Sequence, residues 1–373
     1  MSFSIVDRKM MTRALQLAQQ ARYTATPNPA VGAVITVDET IVGEGFTRPP
    51  GGNHAEIEAL QMAGDVAGGT LYVTLEPCSH QGKTGPCSQA VIESKLARVV
   101  VACEDPNPQV SGSGIKQLQA AGIDVQLGLL EDQARELNKG FIKRHTQGMP
   151  WVLIKIAASL DGRTAMASGQ SQWITSPAAR ADVQRLRAAS CAIITGIGTQ
   201  LMDDPSLTVR ITEQDLGVQD SLVQPLRVVV DAQMKISAQA RLLQQPGRCL
   251  IATLDGAAQR ENSQALIEAG AEVIFMPALG EHIDLQALIV ELAKRDCNQV
   301  MVEAGAGLAG AFIAEGLVDE LVCYWAPKLF GDQARPMFSL PIETIDAHLA
   351  LSIRDMRQVG EDIRVVLRPD KDY

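Results

Sequence analysis

The chain has 373 residues, 46% of them hydrophobic and 20% charged, and its formal net charge at pH 7 is -10. This length exceeds that of one small domain, and the apolar content excludes a disordered chain. The acidic balance disfavours nucleic acid as a partner, because binding a long polyanion depends on a surplus of Lys and Arg. The charge is uneven, however, since residues 151–210 hold six Lys and Arg against four Asp and Glu. A locally positive stretch therefore lies within an acidic second half.

The N-terminal residues lack the apolar core and cleavage site of a secretion signal, and no window approaches the roughly 20 apolar residues of a membrane span. The seven cysteines, an odd number, lie mostly in apolar runs, as expected in a reducing compartment. We therefore expect a cytoplasmic protein. Two cysteines differ from the rest, because Cys78 and Cys87 lie in a polar loop rich in glycine and proline.

Apolar runs alternate with helical patterns along almost the whole chain, which predicts an α/β architecture with largely parallel strands. In the first half, a capping box at 4–7 begins a helix to about 22, and a hairpin of strands follows at 31–37 and 41–46. Helices from about 54, 86 and 115 then alternate with strands at 71–75, 98–103 and 123–128, and another helix ends near 139. The polar segment 141–150 breaks the pattern, so we place the domain boundary there and predict domains at 1–146 and 147–373.

The second half opens with a strand at 151–157, and Ser176 and Pro177 begin a helix. Further strands are predicted at 192–195, 227–230, 249–252, 273–275, 300–303, 320–326 and 363–367. Helices are predicted near 285–295 and from 308. A polar insertion at 211–224 carries no motif and is expected to be a surface loop.

A candidate metal site is formed by His54, Cys78 and Cys87, with Glu56 two residues after the histidine. One imidazole and two thiolates are the ligand number of a catalytic zinc, which keeps its fourth position for water. Glu56 is then predicted to carry a proton from that water to a leaving amino group. A structural zinc is the plainer alternative for the cysteine pair, and Glu58 is the competing carboxylate, because it lies on the same helical face as His54.

These residues resemble the signature of the cytidine-deaminase superfamily, a His-x-Glu triplet followed by Pro-Cys-x-x-Cys. The chain departs from it, because eight residues instead of two separate Cys78 from Cys87. This longer loop, with Pro-Asn-Pro at 27–29, is similar to the pyrimidine deaminase half of the bifunctional riboflavin-biosynthesis deaminase/reductase family. The resemblance implies a three-layer α/β/α domain and assigns catalysis to Glu56, which leaves Glu58 a structural role. It also implies substrate contacts, of a kind that suits a phosphate, at Asn28, His80, Lys83 and Thr84.

The positive stretch of the second half holds the next candidates. Lys155 interrupts an apolar strand, where a lysine is rarely buried without a partner. An edge-strand lysine that reaches solvent is the plainer alternative. Arg187 and Arg210 could hold a phosphate by forked hydrogen bonds.

A glycine motif near the C-terminus is the last candidate. Gly305, Gly307 and Gly310 follow a predicted strand and precede a helix, a setting in which backbone N–H groups bind a pyrophosphate. The motif lies far from the first βα turn, however, and no acidic residue follows on the next strand. Both departures disfavour a Rossmann dehydrogenase, and the missing acid weakens the case for NAD over NADP.

The second half is similar to the reductase half of the same bifunctional family, which has a dihydrofolate-reductase-like fold, and segments 171–176, 203–208 and 302–305 carry the resemblance most specifically. The resemblance implies NADPH contacts at Ala157, Trp173, Thr199, Asp203, Gly305, Ala306, Gly307, Leu308, Ala309 and Gly310. It implies contacts with a phosphoribosylated pyrimidine at Ser171, Arg187, Leu207, Arg210 and Glu303. Lys155 and Asp203 are the candidates for the polar groups that assist reduction.

The predicted function is an enzyme with zinc and NADPH as cofactors. The resemblance implies hydrolytic deamination of 2,5-diamino-6-(5-phosphoribosylamino)pyrimidin-4(3H)-one to 5-amino-6-(5-phosphoribosylamino)uracil, followed by reduction of the ribosyl group to ribityl. We expect a small-molecule substrate, no nucleic acid or membrane partner, and a homo-oligomer.

Two alternative functions predict different sequence features. A nucleic-acid deaminase predicts a basic first domain with aromatic platforms, whereas residues 1–150 hold 13 Lys and Arg against 15 Asp and Glu, and aromatic residues make up 4% of the chain. A non-catalytic protein that kept the fold is the second alternative. The presence of Glu56 opposes it, because a degenerate site would be expected to lose its acid/base residue first.

Overall fold

The structure, a computed structural model, describes residues 3–79, 85–107 and 111–370. The chain forms two compact units, Met1–Gly148 with Glu213–Leu222, and Met149–Thr212 with Val223–Tyr373. Both units are mixed α/β, which confirms the predicted fold class. Within the described residues, no helix combines the length and the apolar character that a membrane crossing requires.

The first unit is built on one five-stranded sheet in the order β2-β1-β3-β4-β5. Strand β1 is antiparallel to β2 and β3, whereas β3, β4 and β5 run parallel. The strands are β1 (Gly32–Val37), β2 (Thr40–Phe46), β3 (Thr70–Val73), β4 (Arg98–Val101) and β5 (Asp124–Leu127). The helices are α1 (Ile5–Ala21), α2 (Ala55–Ala63), α3 (Cys87–Glu93), α4 (Ser113–Ala120), α5 (Glu131–Leu137) and α6 (Lys139–Gln147).

Helices α1 and α2 cover opposite faces of this sheet. A Cβ added to Gly32 would lie 1.9 Å from the carbonyl oxygen of Ala14, so β1 lies directly against α1. The next residue, Ala33, points to the other face and pairs with Gly45 of β2. A Cβ on Gly45 would lie 2.3 Å from the carbonyl oxygen of Ala55, so α2 covers that second face. The layers are therefore α/β/α, and glycine at these positions permits the close approach.

The segment that the sequence analysis treated as a break in the pattern is in fact helix α6. Phe141 is buried, whereas the charged residues that follow it are partly exposed. The charge that resembled a linker therefore lies on the outer side of an amphipathic helix. The helix ends at Gly148, whose φ of 69° lies in the left-handed region that glycine adopts at helix C-termini.

The second unit contains a nine-stranded sheet and two short strand pairs. Its helices are α7 (Pro177–Ala188), α8 (Ile197–Asp203), α10 (Ala257–Glu268), α11 (Leu285–Lys294) and α12 (Ala306–Ala314), and α9 (Glu213–Leu216) lies in the segment that belongs to the first unit. The strands before residue 270 are β6 (Trp151–Ser159), β7 (Arg163–Ala165), β8 (Ala192–Gly196), β9 (Leu226–Val230) and β10 (Cys249–Leu254). The later strands are β11 (Glu272–Met276), β12 (Ala278–Leu279), β13 (His282–Ile283), β14 (Gln299–Val302), β15 (Glu320–Ala326), β16 (Arg335–Pro336), β17 (Leu351–Val359) and β18 (Asp362–Pro369). Two 3-10 helices span Arg241–Gln244 and Ile345–Ala347.

The large sheet has the order β11-β10-β9-β8-β14-β6-β15-β18-β17. Neighbouring strands run parallel except at β18, which is antiparallel to both β15 and β17. Successive residues of β6 enter different cores, because Ile154 packs with one apolar cluster and Leu153 with another. The sheet is therefore buried on both faces, which explains why its central strands were visible in the sequence as continuous apolar runs. The predicted strand at 320–326 coincides with β15.

Two parts of the second half differ from the sequence prediction. Strand β17 was not predicted. It lies at the edge of the sheet, and both Ile353 and Arg354 are exposed, so its sequence contains no continuous apolar run. The insertion at 211–224, expected as a surface loop, contains the single helical turn α9.

Candidate functional sites

The three predicted metal ligands converge in the first unit. His54 is the N-cap of α2, Cys87 is the first residue of α3, and Cys78 lies in the loop after β3. Their ligand atoms all lie within 4.8 Å of one another. His54 Nδ1 is 3.6 Å from Cys78 Sγ and 3.3 Å from Cys87 Sγ. Residues 24 and 33 positions apart along the chain thus meet at one point because two helices begin there.

These separations suit a tetrahedral zinc ion. Zn–S bonds of about 2.3 Å and Zn–N bonds of about 2.0–2.1 Å, at a tetrahedral angle, place the nitrogen and sulfur about 3.6 Å apart. The two observed N···S distances of 3.6 and 3.3 Å are close to that value. A set of one imidazole and two thiolates fits zinc by its chemistry and leaves the fourth coordination position for water.

The electrostatics of the cluster favour the ionised form of one of the two cysteines. The pKa of Cys78 is lowered to about 4, chiefly because the Cys87 thiol donates a hydrogen bond to its sulfur, and His54 acts in the same direction against the effect of burial. The backbone N–H of Cys87 also points at Cys78 Sγ, with N and S 3.4 Å apart. The pKa of Cys87 is raised, because it is the donor in that pair and is itself buried.

Glu56 lies in the buried first turn of α2, next to the ligand cluster, and 3% of its surface is exposed. Burial raises the pKa of its carboxyl to about 7, and a hydrogen bond with Cys87 opposes that rise. The competing carboxylate, Glu58, is bound by Arg48 Nε and by Asn53 Nδ2, each at 2.8 Å. The structure thus gives Glu58 an ion-pair partner away from the cluster and leaves Glu56 beside the two cysteines.

Glu76 is a buried residue beside this site that the sequence analysis did not single out. Its Oε2 accepts hydrogen bonds from the backbone N–H of Asp105 at 3.2 Å and of Gly112 at 3.0 Å, and its Oε1 accepts one from Ile115 at 3.1 Å. Glu76 therefore ties the loop that carries Cys78 to the N-terminus of α4. A carboxylate two residues before the cysteine, directly after an apolar strand, was the available signal.

The remaining predicted residues of this site have no described contact with the metal cluster. His80, Lys83 and Thr84 lie outside the described residues. Asn28 lies half-buried in the turn before β1, where its backbone N–H donates to the carbonyl of Ala25 at 2.9 Å. Their contacts with substrate stay predictions.

The second unit has a cleft of about 1080 Å³ at the carboxyl ends of β6, β8, β9 and β14. This is the edge of a parallel sheet at which ligands bind in open α/β folds. The predicted residues that line the cleft are Lys155, Ala157, Ser171, Trp173, Arg187, Thr199, Asp203, Leu207, Arg210, Glu303, Gly305, Ala306, Gly307 and Leu308. The two others, Ala309 and Gly310, do not line it, because Ala309 is fully buried and a Cβ on Gly310 would lie 2.0 Å from the carbonyl oxygen of Ser339.

Glu303 is the polar centre of the cleft. It follows β14, and the pairing of Val302 with Ile154 places it next to Lys155 of β6, whose Nζ lies 3.2 Å from Glu303 Oε1. Arg187 of α7 donates to the same carboxylate through Nε and Nη2, each at 3.0 Å. Burial opposes ionisation of Glu303, but the two cations outweigh it and hold the pKa of this carboxyl well below its ordinary value.

A second group of polar contacts joins α8 to the glycine motif. The backbone N–H of Gly305, the N-cap of α12, donates to Thr199 Oγ1 at 3.1 Å. One turn further along α8, Asp203 accepts a hydrogen bond from Ser171 Oγ at 3.0 Å. The N-terminus of α12 thus opens into the cleft beside Thr199, in the arrangement that binds pyrophosphate groups.

Two predicted contact residues present large side chains to the cleft. Trp173 is 64% exposed, and the Arg180 guanidinium lies 4.5 Å from the centre of its ring. Arg210 is exposed, and both desolvation and the neighbouring Arg187 lower the pKa of its guanidinium. The sequence analysis missed other residues that line the cleft, among them Arg335, Arg241 and His282. No local motif marks these residues, because each lies in a different element.

The fold and the two sites define a chain that combines a zinc-dependent deaminase unit with an α/β reductase unit. Two family profiles match it in that order: the cytidine and deoxycytidylate deaminase zinc-binding region at residues 4–103, and the RibD C-terminal domain at residues 150–365. The chain belongs to the RibD family of riboflavin biosynthesis proteins, which are bifunctional deaminase/reductase enzymes.

Relatives over the full length support this membership. The riboflavin biosynthesis protein RibD of Escherichia coli is 49% identical over 364 residues, covering 96% of this chain and 98% of that protein. The RibD protein of Haemophilus influenzae is 45% identical over 376 residues and 99% of each chain. The solved structure of Acinetobacter baumannii RibD superposes with a TM-score of 0.89 at 41% identity, covering 98% of this chain and 99% of that one.

A Thermotoga maritima structure described as a diaminohydroxyphosphoribosylaminopyrimidine deaminase/5-amino-6-(5-phosphoribosylamino)uracil reductase has a TM-score of 0.87 at 31% identity. The superposition covers 98% of this chain and 99% of the Thermotoga maritima chain. The predicted cytidine-deaminase-like and dihydrofolate-reductase-like folds are therefore confirmed. The deaminase domain is of the zinc-binding type, and the reductase domain is related to the NADPH-dependent RibD reductases.

Proposed function

We propose that this chain catalyses two consecutive reactions of riboflavin biosynthesis, with residues 1–146 as the deaminase domain and 147–373 as the reductase domain. The first reaction releases the exocyclic amine of 2,5-diamino-6-(5-phosphoribosylamino)pyrimidin-4(3H)-one as ammonia. The second reduces the ribosyl group of 5-amino-6-(5-phosphoribosylamino)uracil to a ribityl group with NADPH. The observation that carries the proposal is the convergence of His54, Cys78 and Cys87 beside the buried Glu56.

In the deaminase domain, the two cysteines and the histidine hold the zinc ion, which when bound acts as a Lewis acid toward water. Glu56 takes a proton from the attacking water and delivers it to the leaving amino group. Its position supports this role, because the carboxyl lies beside Cys87 in a turn that bulk water does not reach. The substrate contacts proposed for Asn28, His80, Lys83 and Thr84 complete this site.

In the reductase domain, the cleft would hold NADPH, which when bound would supply a hydride to the anomeric carbon of the sugar. The bond between that carbon and the ring oxygen breaks, and the oxygen takes up a proton. We assign this proton transfer to Lys155 with help from Asp203, because both line the cleft. Glu303 Oε1 lies 3.2 Å from Lys155 Nζ and so fixes the position of this side chain in the cleft.

The other predicted contact residues of the reductase cleft form two groups, one for the cofactor and one for the substrate. The cofactor is assigned to Ala157, Trp173, Thr199, Asp203 and the helix start at 305–308, which lines the cleft and whose dipole suits a pyrophosphate. The substrate is assigned to Ser171, Arg187, Leu207, Arg210 and Glu303. Two of the Arg187 nitrogens bind Glu303, and a third donates to the Thr208 carbonyl at 2.9 Å. Its guanidinium is therefore held rigidly at the cleft wall.

One assay tests both reactions. The purified chain with zinc, NADPH and the diamino substrate should release ammonia and consume NADPH in sequence, and NADPH should be a better substrate than NADH. The variant Glu56→Gln should bind zinc but release no ammonia, while it still reduces deaminated substrate supplied directly. Ammonia release by this variant at the wild-type rate would contradict the role of Glu56, and equal kcat/KM for the two cofactors would contradict the cofactor.

The location and assembly are further parts of the proposal. All seven cysteines are free, which fits a reducing cytoplasm. A homo-oligomer is supported by the edge strand β17, on which Ile353 and Met356 are 63% and 65% exposed. Sedimentation equilibrium of the purified chain tests the assembly, and a monomer across the micromolar range would contradict it.

A further inference from the structure

The cationic side chains of the reductase cleft differ in whether they already have a partner. Lys155 and Arg187 share the carboxylate of Glu303. Arg180 donates to the Thr175 carbonyl at 2.6 Å and lies over an aromatic ring. These three cations are therefore satisfied before any ligand binds.

Two of the remaining arginines have no acidic partner in the part of the chain that the structure describes, namely Arg210 and Arg335. Arg241 differs from them, because its Nε lies 3.9 Å from the carboxylate of Asp204. Arg210 lies near Arg187 and Glu303, whose charges act on it. The proposed substrate and cofactor both carry phosphate. Arg210 is assigned to the substrate, so Arg335 is the arginine available to a phosphate of the cofactor.

Arg335 lines the same cleft, beside a turn that also contacts α8. A Cβ on Gly169 would be 3.4 Å from Arg335 Nη2 and 2.3 Å from Met202 Cε, so both side chains rest against this turn. Gly169 has a φ of 93°, and the absence of a side chain there leaves room for the guanidinium. Met202 lies on α8, one turn after Thr199, which contacts the N-cap of α12.

The chain after Arg335 leads to the same helix start. Four residues later, the backbone N–H of Ser339 donates to the Ala306 carbonyl at 3.1 Å. The Ser339 carbonyl lies against Gly310, one turn further along α12. Strand β16 pairs with β7 through Arg335 and Ala165, and the segment that follows the strand is bound to the helix that is proposed to receive the cofactor.

We propose that Arg335 binds a phosphate group of the dinucleotide cofactor. This assignment rests on the proposed use of NADPH by the reductase domain. A guanidinium suits the task, because it is always charged and forms forked hydrogen bonds to phosphate oxygens. The cofactor offers two such groups, the pyrophosphate and the 2'-phosphate, and NADH carries only the first.

The test compares Arg335→Ala, Arg335→Lys and the control Arg248→Ala, which removes an exposed arginine beside β10, outside the cleft. Each full-length protein is assayed with deaminated substrate and with NADPH or NADH. We expect Arg335→Ala to raise KM for NADPH roughly 10- to 100-fold, the range for loss of a hydrogen bond to a charged group. Arg335→Lys should recover part of that loss, and the control should match the wild type.

The two cofactors distinguish the phosphate groups. An equal rise in KM for NADPH and NADH assigns Arg335 to the pyrophosphate, and a rise for NADPH alone assigns it to the 2'-phosphate. Unchanged KM for both cofactors, or a rise confined to the pyrimidine substrate, overturns the proposal. Titration calorimetry without substrate measures the Kd of NADPH, which should rise in Arg335→Ala by the same factor as KM, and an unchanged Kd overturns the proposal. An unchanged kcat at saturating NADPH reports that the reductase unit is folded, and absence of NADPH turnover in the wild type would instead contradict the proposed function.

Discussion

Glu76→Gln tests whether the buried carboxylate behind the metal loop positions Cys78. In the wild type, Oε2 accepts two backbone N–H groups and Oε1 accepts one. Glutamine keeps one acceptor oxygen, so its amide can replace Oε2 and retain both of those bonds. Its NH2 group must then face the N–H of Ile115, which loses its acceptor.

The expected cost follows from these contacts. An unsatisfied buried N–H costs about 1–3 kcal/mol, and the two retained bonds lose the extra strength of a charged acceptor. Together these effects predict that the free energy of unfolding of the first unit falls by about 2–4 kcal/mol. Because the residue also fixes the approach of Cys78 to the cluster, zinc affinity should fall roughly 10- to 100-fold, as for other groups that orient metal ligands.

Three measurements on the purified chain check this prediction. Zinc affinity is measured by chelator competition at a temperature where both proteins are folded, stability by chemical denaturation, and reductase activity as an internal control that should not change. Glu104→Gln is the matched variant, because Glu104 is an exposed carboxylate of the loop after β4 that Glu76 contacts, and it accepts a hydrogen bond from Ser111 Oγ at 2.8 Å. A stability loss with wild-type zinc affinity would refute the positioning role, and no loss of either would refute the hydrogen-bond argument itself.

Three further predictions follow from the two units. Removal of zinc by a chelator should abolish ammonia release but leave reduction of supplied deaminated substrate intact, because the ligands and the reductase cleft lie in different units; a parallel loss of both activities would contradict this separation. Arg210→Ala should raise KM for the phosphorylated substrate roughly 10- to 100-fold and leave KM for NADPH unchanged, and an unaltered substrate KM would remove Arg210 from the site. Asp7→Asn should lower the stability of the first unit at pH 7 by about 2–4 kcal/mol, because Asp7 pairs with Arg98 at 2.7 Å and that arginine lowers its carboxyl pKa. A carboxyl whose pKa is lower in the folded state stabilises the fold at pH values above its ordinary pKa near 4, and this stabilisation is lost as the pH falls further. In denaturation experiments, the stability difference between Asp7→Asn and wild type should therefore shrink below pH 4. A stability difference that does not depend on pH would contradict the assignment.

The sequence predicted the parts of the fold that have a strong local pattern. The buried strands of the second sheet were visible because they are covered on both faces and contain few polar residues. The helix at 139–147 and the edge strand at 351–359 were missed, because their exposed charged residues resemble a linker. In both cases the packing partner, and not the local sequence, determines the structure.

The candidate metal site could be predicted for a similar reason. Its ligands precede or begin helices and are marked by short motifs, so residue types and spacing sufficed to name His54, Cys78 and Cys87. Glu76 had a weaker signal, because its three partners are backbone groups of residues 29 to 39 positions further along the chain.

The sequence by itself thus determined the α/β class and the three candidate metal ligands, and its resemblance to a known family pointed to a minority of the residues that line the reductase cleft. Only the tertiary structure decided which charges in that cleft are neutralised. Glu303 meets Lys155 because β14 and β6 pair in register, and it meets Arg187 because α7 packs against that edge of the sheet. The same packing leaves Arg335 without an acidic partner in the described chain. Such pairings depend on distances between elements far apart in sequence, and no local pattern encodes them.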